Sequence, residues 1–170
     1  MASSHTSSWS KSPQRNFLAA LITSQVAGLI MAVVIMLVFT LFLGKGPLYP
    51  VQVIGSTIFG ENALHGFHLA AFITGLLLHQ SVALAWGLVF AIFAKIFNID
   101  TLKASMGLGL VVAFMSMLDT YVFVPAVMNA LHGVDIWNRE VPIFWNWAAH
   151  AVFGLSYGLF PKIRNLLSIK

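Results

Sequence analysis

Four apolar stretches, each long enough to cross a lipid bilayer, constrain this chain more than any other feature. About 20 apolar residues span the hydrocarbon core as a helix, because each residue advances the helix by about 1.5 Å. The first stretch, Phe17 to Leu43, carries no charge, and in the other three only Asp119 is charged. Four transmembrane helices are therefore predicted, at 17–43, 65–94, 104–131 and 142–160.

The composition supports a membrane protein and excludes several other classes. Of the 170 residues, 59% are hydrophobic and 8% are charged, whereas about a quarter of the residues in a soluble domain are charged. The chain has no cysteine, which excludes disulfides, thiolate metal sites and cysteine nucleophiles. We predict an all-α integral membrane protein, a four-helix bundle whose surroundings are the lipid bilayer and which binds no nucleic acid.

The chain divides into one membrane domain and two tails. A polar tail covers residues 1–16, the four helices occupy 17–161, and a basic tail covers 162–170. With the amino terminus in the cytoplasm, the inner segments hold seven of the nine Lys and Arg residues, and only Lys45 and Arg139 lie outside. Because positive residues favour the cytoplasmic side, both termini are predicted to be cytoplasmic, in the inner membrane of a bacterium.

Two breaks in the apolar pattern predict local distortions. The segment 44–64 is interrupted by glycine and proline, and its apolar run from Val51 to Phe59 is too short to span. It is predicted to lie at the membrane interface. In the third helix, Pro125 leaves the carbonyl of Tyr121 without a donor, which predicts a kink.

Small residues recur every four positions on three of the predicted helices, and this spacing lets a neighbouring helix approach closely. The stripes are Ala20, Ser24, Gly28 and Ala32 in the first helix, Ala71, Gly75, Ala83, Gly87 and Ala91 in the second, and Gly154 and Gly158 in the fourth. They offer more packing surface than one compact bundle needs. This surplus favours a place in a larger membrane assembly.

Three ionisable residues, His79, Asp119 and His150, fall near the middle of the second, third and fourth helices. Isolated ionisable groups are costly in lipid, so we predict that the three converge and act as partners for one another. The predicted neighbours in this buried cluster are Asn146, Ser116 and Thr120. A purely structural role, as hydrogen bonds that fix helix register at about 1 kcal/mol each, explains the same residues.

A b-type haem between the second and fourth helices is an alternative interpretation, with His79 and His150 as iron ligands. Each histidine has a glycine four residues away, Gly75 and Gly154. A porphyrin needs small residues beside its ligands in order to approach a helix. The same site could instead contact a quinone in an electron-transfer subunit.

The second helix also resembles the haem-stacking helices of membrane cytochromes b, because His65 precedes His79 by fourteen residues. The fourth helix departs from that pattern, since Ile136 and Arg164 occupy the positions fourteen residues from His150. The resemblance therefore implies at most one haem.

A metal site at the outer surface is a further hypothesis. Glu61, His65 and His68 are spaced to share one helical face, and His132 lies in the other outer loop. Imidazole and carboxylate groups suit zinc, copper or iron.

A proton relay through Asp119, His79 and His150 in a transporter is another hypothesis. The chain shows neither an inverted repeat nor a broken helix pair, which transporters commonly have.

Two segments resemble a group of small bacterial inner-membrane proteins of the YagU type. They are GLLLHQSVALAWGLVFA at 75–91 and HAVFGLSYGLF at 150–160, where a late helix has the pattern His-x-x-x-Gly-x-x-x-Gly. The resemblance implies a four-helix inner-membrane fold and no particular chemistry.

The sequence contains no nucleophile with an adjacent base, no phosphate-binding loop and no pair of carboxylates at one depth, so enzyme activity has little support. The predicted function is a non-catalytic accessory or scaffold subunit of a larger inner-membrane complex, such as a respiratory one. Its expected partners are other membrane-protein subunits. The alternatives are the single-haem or quinone-contacting subunit and the proton-coupled transporter.

Overall fold

A computed structural model describes Trp9 and residues 12–168, and this part of the chain is helical with no strand. The helices are α1 (Pro13–Phe42), α2 (Tyr49–Phe59), α3 (Leu69–Ile96), α4 (Leu102–Leu118), α5 (Val124–His132), α6 (Ile136–Glu140), α7 (Ile143–Ser156) and α8 (Phe160–Leu166). A π-turn (Asp119–Phe123) joins α4 to α5, and 3₁₀ turns lie at Gly60–Leu64 and Tyr157–Leu159. The all-α prediction is confirmed for these residues.

Three helical segments are long and apolar enough to cross a membrane. They are α1, α3 and the continuous run Leu102–His132, which contains α4, the π-turn and α5. They correspond to the predicted helices 17–43, 65–94 and 104–131, with ends shifted by one to four residues. The second helix begins at Leu69 and not at 65, because Gly66 has a positive φ of 82° and His68 is extended as the N-cap.

The predicted fourth helix, 142–160, is where the structure differs most. Helix α7 has only 14 residues and ends at Ser156 in a 3₁₀ turn, after which α8 continues into the predicted basic tail. Pro161 explains the interruption, since it has no N–H for the carbonyl of Tyr157 four residues earlier.

Helix α2 forms inside the segment that was expected to be interfacial, and its inner face is buried. Pro50 lies in its first turn, Gly60 ends it with a φ of 63°, and Val51 and Val53 are buried. The side-chain amide of Gln52 donates to the carbonyls of Ala63 and Gly66, both at 2.8 Å. These bonds tie α2 to the chain that leads into α3.

Glycines allow the backbones of α2 and α3 to touch. A Cβ atom on Gly75 would overlap the carbonyl oxygen of Val51, and one on Gly55 would overlap the carbonyl oxygen of Ala71. No side chain larger than hydrogen fits at either position. The small-residue stripe of α3 therefore packs against a helix of the same chain.

The remaining long helices meet in the same way. Helix α1 lies between α3 and α7, and α7 packs on α4. Gly109 of α4 and Gly154 of α7 face each other, so that a Cβ on either would overlap the other's carbonyl oxygen or come within 2.7 Å of it. The predicted stripes of small residues are largely buried within the described chain.

Trp9 fixes the start of the chain to the ends of helices at one side of the bundle. It is 2% exposed, and its indole Nε1 donates to the carbonyl of Ile99 at 3.1 Å. Its ring stacks on Phe160 and meets Phe17 edge-on, with centroid distances of 5.9 and 5.8 Å. The rest of the predicted polar tail before residue 12, and the last two residues of the basic tail, lie outside the described residues.

Gly75→Ala is expected to lower the free energy of unfolding by about 1–3 kcal/mol, because the added methyl group would push α2 and α3 apart. Thermal unfolding of the detergent-solubilised protein would measure this as a lower Tm. Gly107→Ala is the matched control, since no atom lies within 4 Å of its Cβ position. Equal Tm values for the two variants would contradict the proposed backbone contact.

Candidate functional site

A cavity of about 170 Å³ lies among the helices, lined mainly by apolar side chains. The three ionisable residues that line it are His79 on α3, Asp119 at the start of the π-turn and His150 on α7. The structure therefore brings these three predicted residues to one space. It does not make them partners of one another, because each forms its hydrogen bond elsewhere.

His79 binds the backbone of α1. Its Nε2 lies 2.9 Å from the carbonyl oxygen of Gly28. A carbonyl oxygen can only accept a hydrogen bond, so Nε2 carries the hydrogen and donates. The other ring nitrogen, Nδ1, has no hydrogen-bond partner in the described chain.

His150 binds the backbone of its own helix. Its Nδ1 lies 2.9 Å from the carbonyl oxygen of Asn146, one turn earlier, and donates to it by the same reasoning. The side chain is 7% exposed, and its Nε2 has no partner among the described residues. Asn146 was predicted as a neighbour of the cluster, and it contributes this backbone carbonyl.

Asp119 accepts one hydrogen bond, from the indole Nε1 of Trp86 on α3, at 2.5 Å to Oδ2. The ion pairs of the described chain do not include Asp119, so no cationic side chain stands beside it. The single bond from Trp86 joins α3 to the π-turn across one side of the cavity.

The π-turn positions Asp119, and its cause is visible in the sequence. Pro125 cannot donate to the carbonyl of Tyr121, and the N–H of Val124 reaches back five residues to the carbonyl of Asp119. The predicted distortion therefore takes the form of a π-turn. The neighbours Ser116 and Thr120 donate to carbonyls of their own helix, those of Ala113 and Met117.

The residues that were predicted to hold a haem do not fit one. Gly75 and Gly154 contact the backbones of α2 and α4, so neither leaves space beside a histidine for a porphyrin face. The cavity is also smaller than the roughly 300–1,000 Å³ of ordinary ligand sites. His65 lies before the first turn of α3 and is exposed, so it does not share a helical face with His79.

Of the predicted outer metal ligands, Glu61 and His132 line one surface pocket, which His65 and His68 do not line. Glu61 pairs with Arg139, His68 accepts a bond from the N–H of Ala71, and His132 contacts the carbonyl of Thr57 at 3.1 Å. Within residues 12–168 and Trp9, no three His, Asp or Glu side chains lie close enough together to hold a metal ion.

A polar network holds the short helix α6, whose Trp137 lines the cavity. Arg139 binds Glu61 and, through Nε at 3.0 Å, Glu140, which also accepts from the hydroxyl of Tyr49 at 2.7 Å. Arg139 holds the pKa of Glu61 below its usual range, and burial together with Glu140 raises the pKa of Tyr49. Charged side chains and the Tyr49 hydroxyl thus join α2, the 3₁₀ turn Gly60–Leu64 and α6.

Trp137 on α6 is a site residue that the sequence analysis missed. It lines the cavity, and its indole Nε1 is buried without a hydrogen-bond partner. Tryptophan near a helix end predicted only a position at the headgroup layer. No sequence pattern places this ring over residues on α3 and α7.

Comparisons of this chain with protein-family models, curated proteins and solved structures find no match. The resemblance to proteins of the YagU type stays a prediction.

The Glu61 carboxyl is expected to titrate below about 4.3, the usual value for glutamate, because Arg139 stabilises its ionised form. Its contribution to stability is present above the unfolded pKa and is lost as the pH falls through the lower folded pKa. Carboxyl-carbon NMR measures the midpoint. It should rise to the usual value in Arg139→Gln and stay unchanged in Lys45→Gln; an unchanged midpoint in Arg139→Gln would contradict the pairing.

Proposed function

We propose that the protein is an intramembrane binding protein that holds a small amphipathic molecule in the cavity between α3, α4 and α7. The observation that carries this proposal is the arrangement of His79, Asp119 and His150 around one space, each with unused hydrogen-bonding capacity. Buried polar groups in folded proteins are generally hydrogen-bonded. Each of the three residues already has one such bond, so the support for a ligand is their placement around one cavity, since ionisable residues inside membrane spans commonly mark binding sites.

The size of the cavity supports a ligand of about one ring. An engineered apolar cavity of about 150 Å³ in another protein binds benzene, and the cavity here is about 170 Å³. Most of the lining is apolar, so it suits the body of a lipid-soluble molecule. The polar side chains then fix its orientation, as they do in many small-molecule sites.

Trp137 adds an independent argument. Its buried N–H has no partner in the described chain, and leaving such a donor unsatisfied costs about 1–3 kcal/mol. An oxygen atom on a ligand, or a bound water molecule, would satisfy it.

The accessory-subunit role remains a separate prediction with less support. It rested on a surplus of small-residue surface, and the described structure uses those stripes for contacts within the chain. Native electrophoresis of the solubilised protein would test it, since a subunit runs in a band much larger than 18.6 kDa.

The binding test uses two single-ring probes, 4-fluorobenzyl alcohol and 4-fluorobenzylamine, followed by ¹⁹F NMR with the full chain in mild detergent. Saturable binding of at least one probe is expected. Val124→Phe should weaken it about tenfold or more, because Val124 lines the cavity and the larger ring would fill it. Val127→Phe, on the exposed face of α5, is the matched control and should bind normally. Absence of saturable binding, or equal loss in both variants, would overturn the proposal.

We also propose the cytoplasmic location of both termini in a bacterial inner membrane, which the excess of Lys and Arg on the inner segments supports. Because the chain has no cysteine, single cysteines report topology without background. A membrane-impermeant maleimide added to intact cells should label Asn62→Cys and should label Lys103→Cys only after permeabilisation. The reverse pattern would contradict the orientation.

A further inference from the structure

The hydrogen-bonding groups that face the cavity are mainly acceptors. His79 and His150 each donate to a backbone carbonyl from one ring nitrogen, and a neutral imidazole that donates at one nitrogen accepts at the other. Asp119 receives one bond from Trp86, which leaves carboxylate oxygen lone pairs available. The cavity thus offers acceptors on three helical segments, and Trp137 supplies one donor at its outer end.

No lysine or arginine side chain lines the cavity. Among the residues that line it, only Asp119, His79 and His150 can ionise. Helices α1, α2 and α6 contribute no charged side chain to it, although each lines part of the wall. Asp119 therefore has no Lys or Arg beside it, and both histidines bind backbone carbonyls and not its carboxylate. An ionised carboxylate in a membrane-spanning segment is costly without a cationic partner.

The walls suit an organic cation. The rings of Trp86, Trp137 and Phe153 line the same space. Aromatic faces attract ammonium groups, and most strongly where water is excluded. Acceptors, an uncompensated carboxylate and aromatic faces are the three elements that recognise an amine.

We propose that the ligand of this cavity is a small protonated amine carrying about one ring, whose ammonium group binds Asp119 and donates to His79 or His150. This inference rests on the proposed binding function and adds the class of ligand. A hydroxyl-bearing neutral molecule could also donate to the acceptors, but it would leave the carboxylate charge without a counter-ion. A positive charge on the ligand therefore distinguishes a protonated amine from a neutral alcohol.

The test compares 4-fluorobenzylamine with 4-fluorobenzyl alcohol, which have the same ring and differ in the charged group. The unaltered protein should bind the amine at least about tenfold more tightly at pH 7, because hydrogen bonds between charged groups are stronger than those to a neutral hydroxyl. Asp119→Asn should remove this preference. Its amide oxygen can still accept from Trp86, so the contact between α3 and the π-turn is kept.

Asp100→Asn is the matched control, since Asp100 is exposed in the turn between α3 and α4 and the charge change is the same. It should keep the full preference for the amine. Binding of the alcohol by Asp119→Asn reports whether that variant folds. If the variant binds neither probe, the affinities of the two probes for the unaltered protein test the amine assignment. Equal affinities there would overturn the amine assignment and leave the binding function intact, whereas no saturable binding of either probe would overturn both.

Discussion

The arrangement of the helices depends on two places where helix backbones touch without a side chain between them. Gly75 lies against the carbonyl of Val51, and Gly109 lies against Gly154. Contacts at this distance bring many main-chain atoms into van der Waals range, which is a main source of association between apolar helices.

Polar side chains in this fold separate into two groups. Several hydroxyls donate to a carbonyl of their own helix, as those of Thr23 and Ser56 do at 2.6 and 2.7 Å, and such bonds do not link neighbouring helices. Two groups at the cavity differ, since His79 and Trp86 bind other segments of the chain. Their bonds hold the walls in place while leaving further atoms free, which is the condition for a preorganised site.

The sequence predicted the helical class and the three longest helices well, because hydropathy and chain length depend only on local composition. It also placed His79, Asp119 and His150 near the middle of their helices, since the rise per residue of a helix is constant, and the three line one cavity. It could not predict their hydrogen bonds, because every residue has a backbone carbonyl and the sequence does not show which one a histidine will bind, as His79 binds that of Gly28. The burial of α2 was missed for a related reason, since its fit against α3 depends on one matched pair of glycines.

The cavity has a consequence for the stability of the fold itself. Its walls are mainly apolar side chains, which on this side lack the van der Waals contacts of a packed interior. A single larger residue in place of Ala83 or Ser116, which both line it, would reduce that deficit. A molecule that fills the space recovers the same contacts before it forms any polar bond. Under the proposed binding function, a ligand would therefore stabilise the folded chain as well as occupy the site.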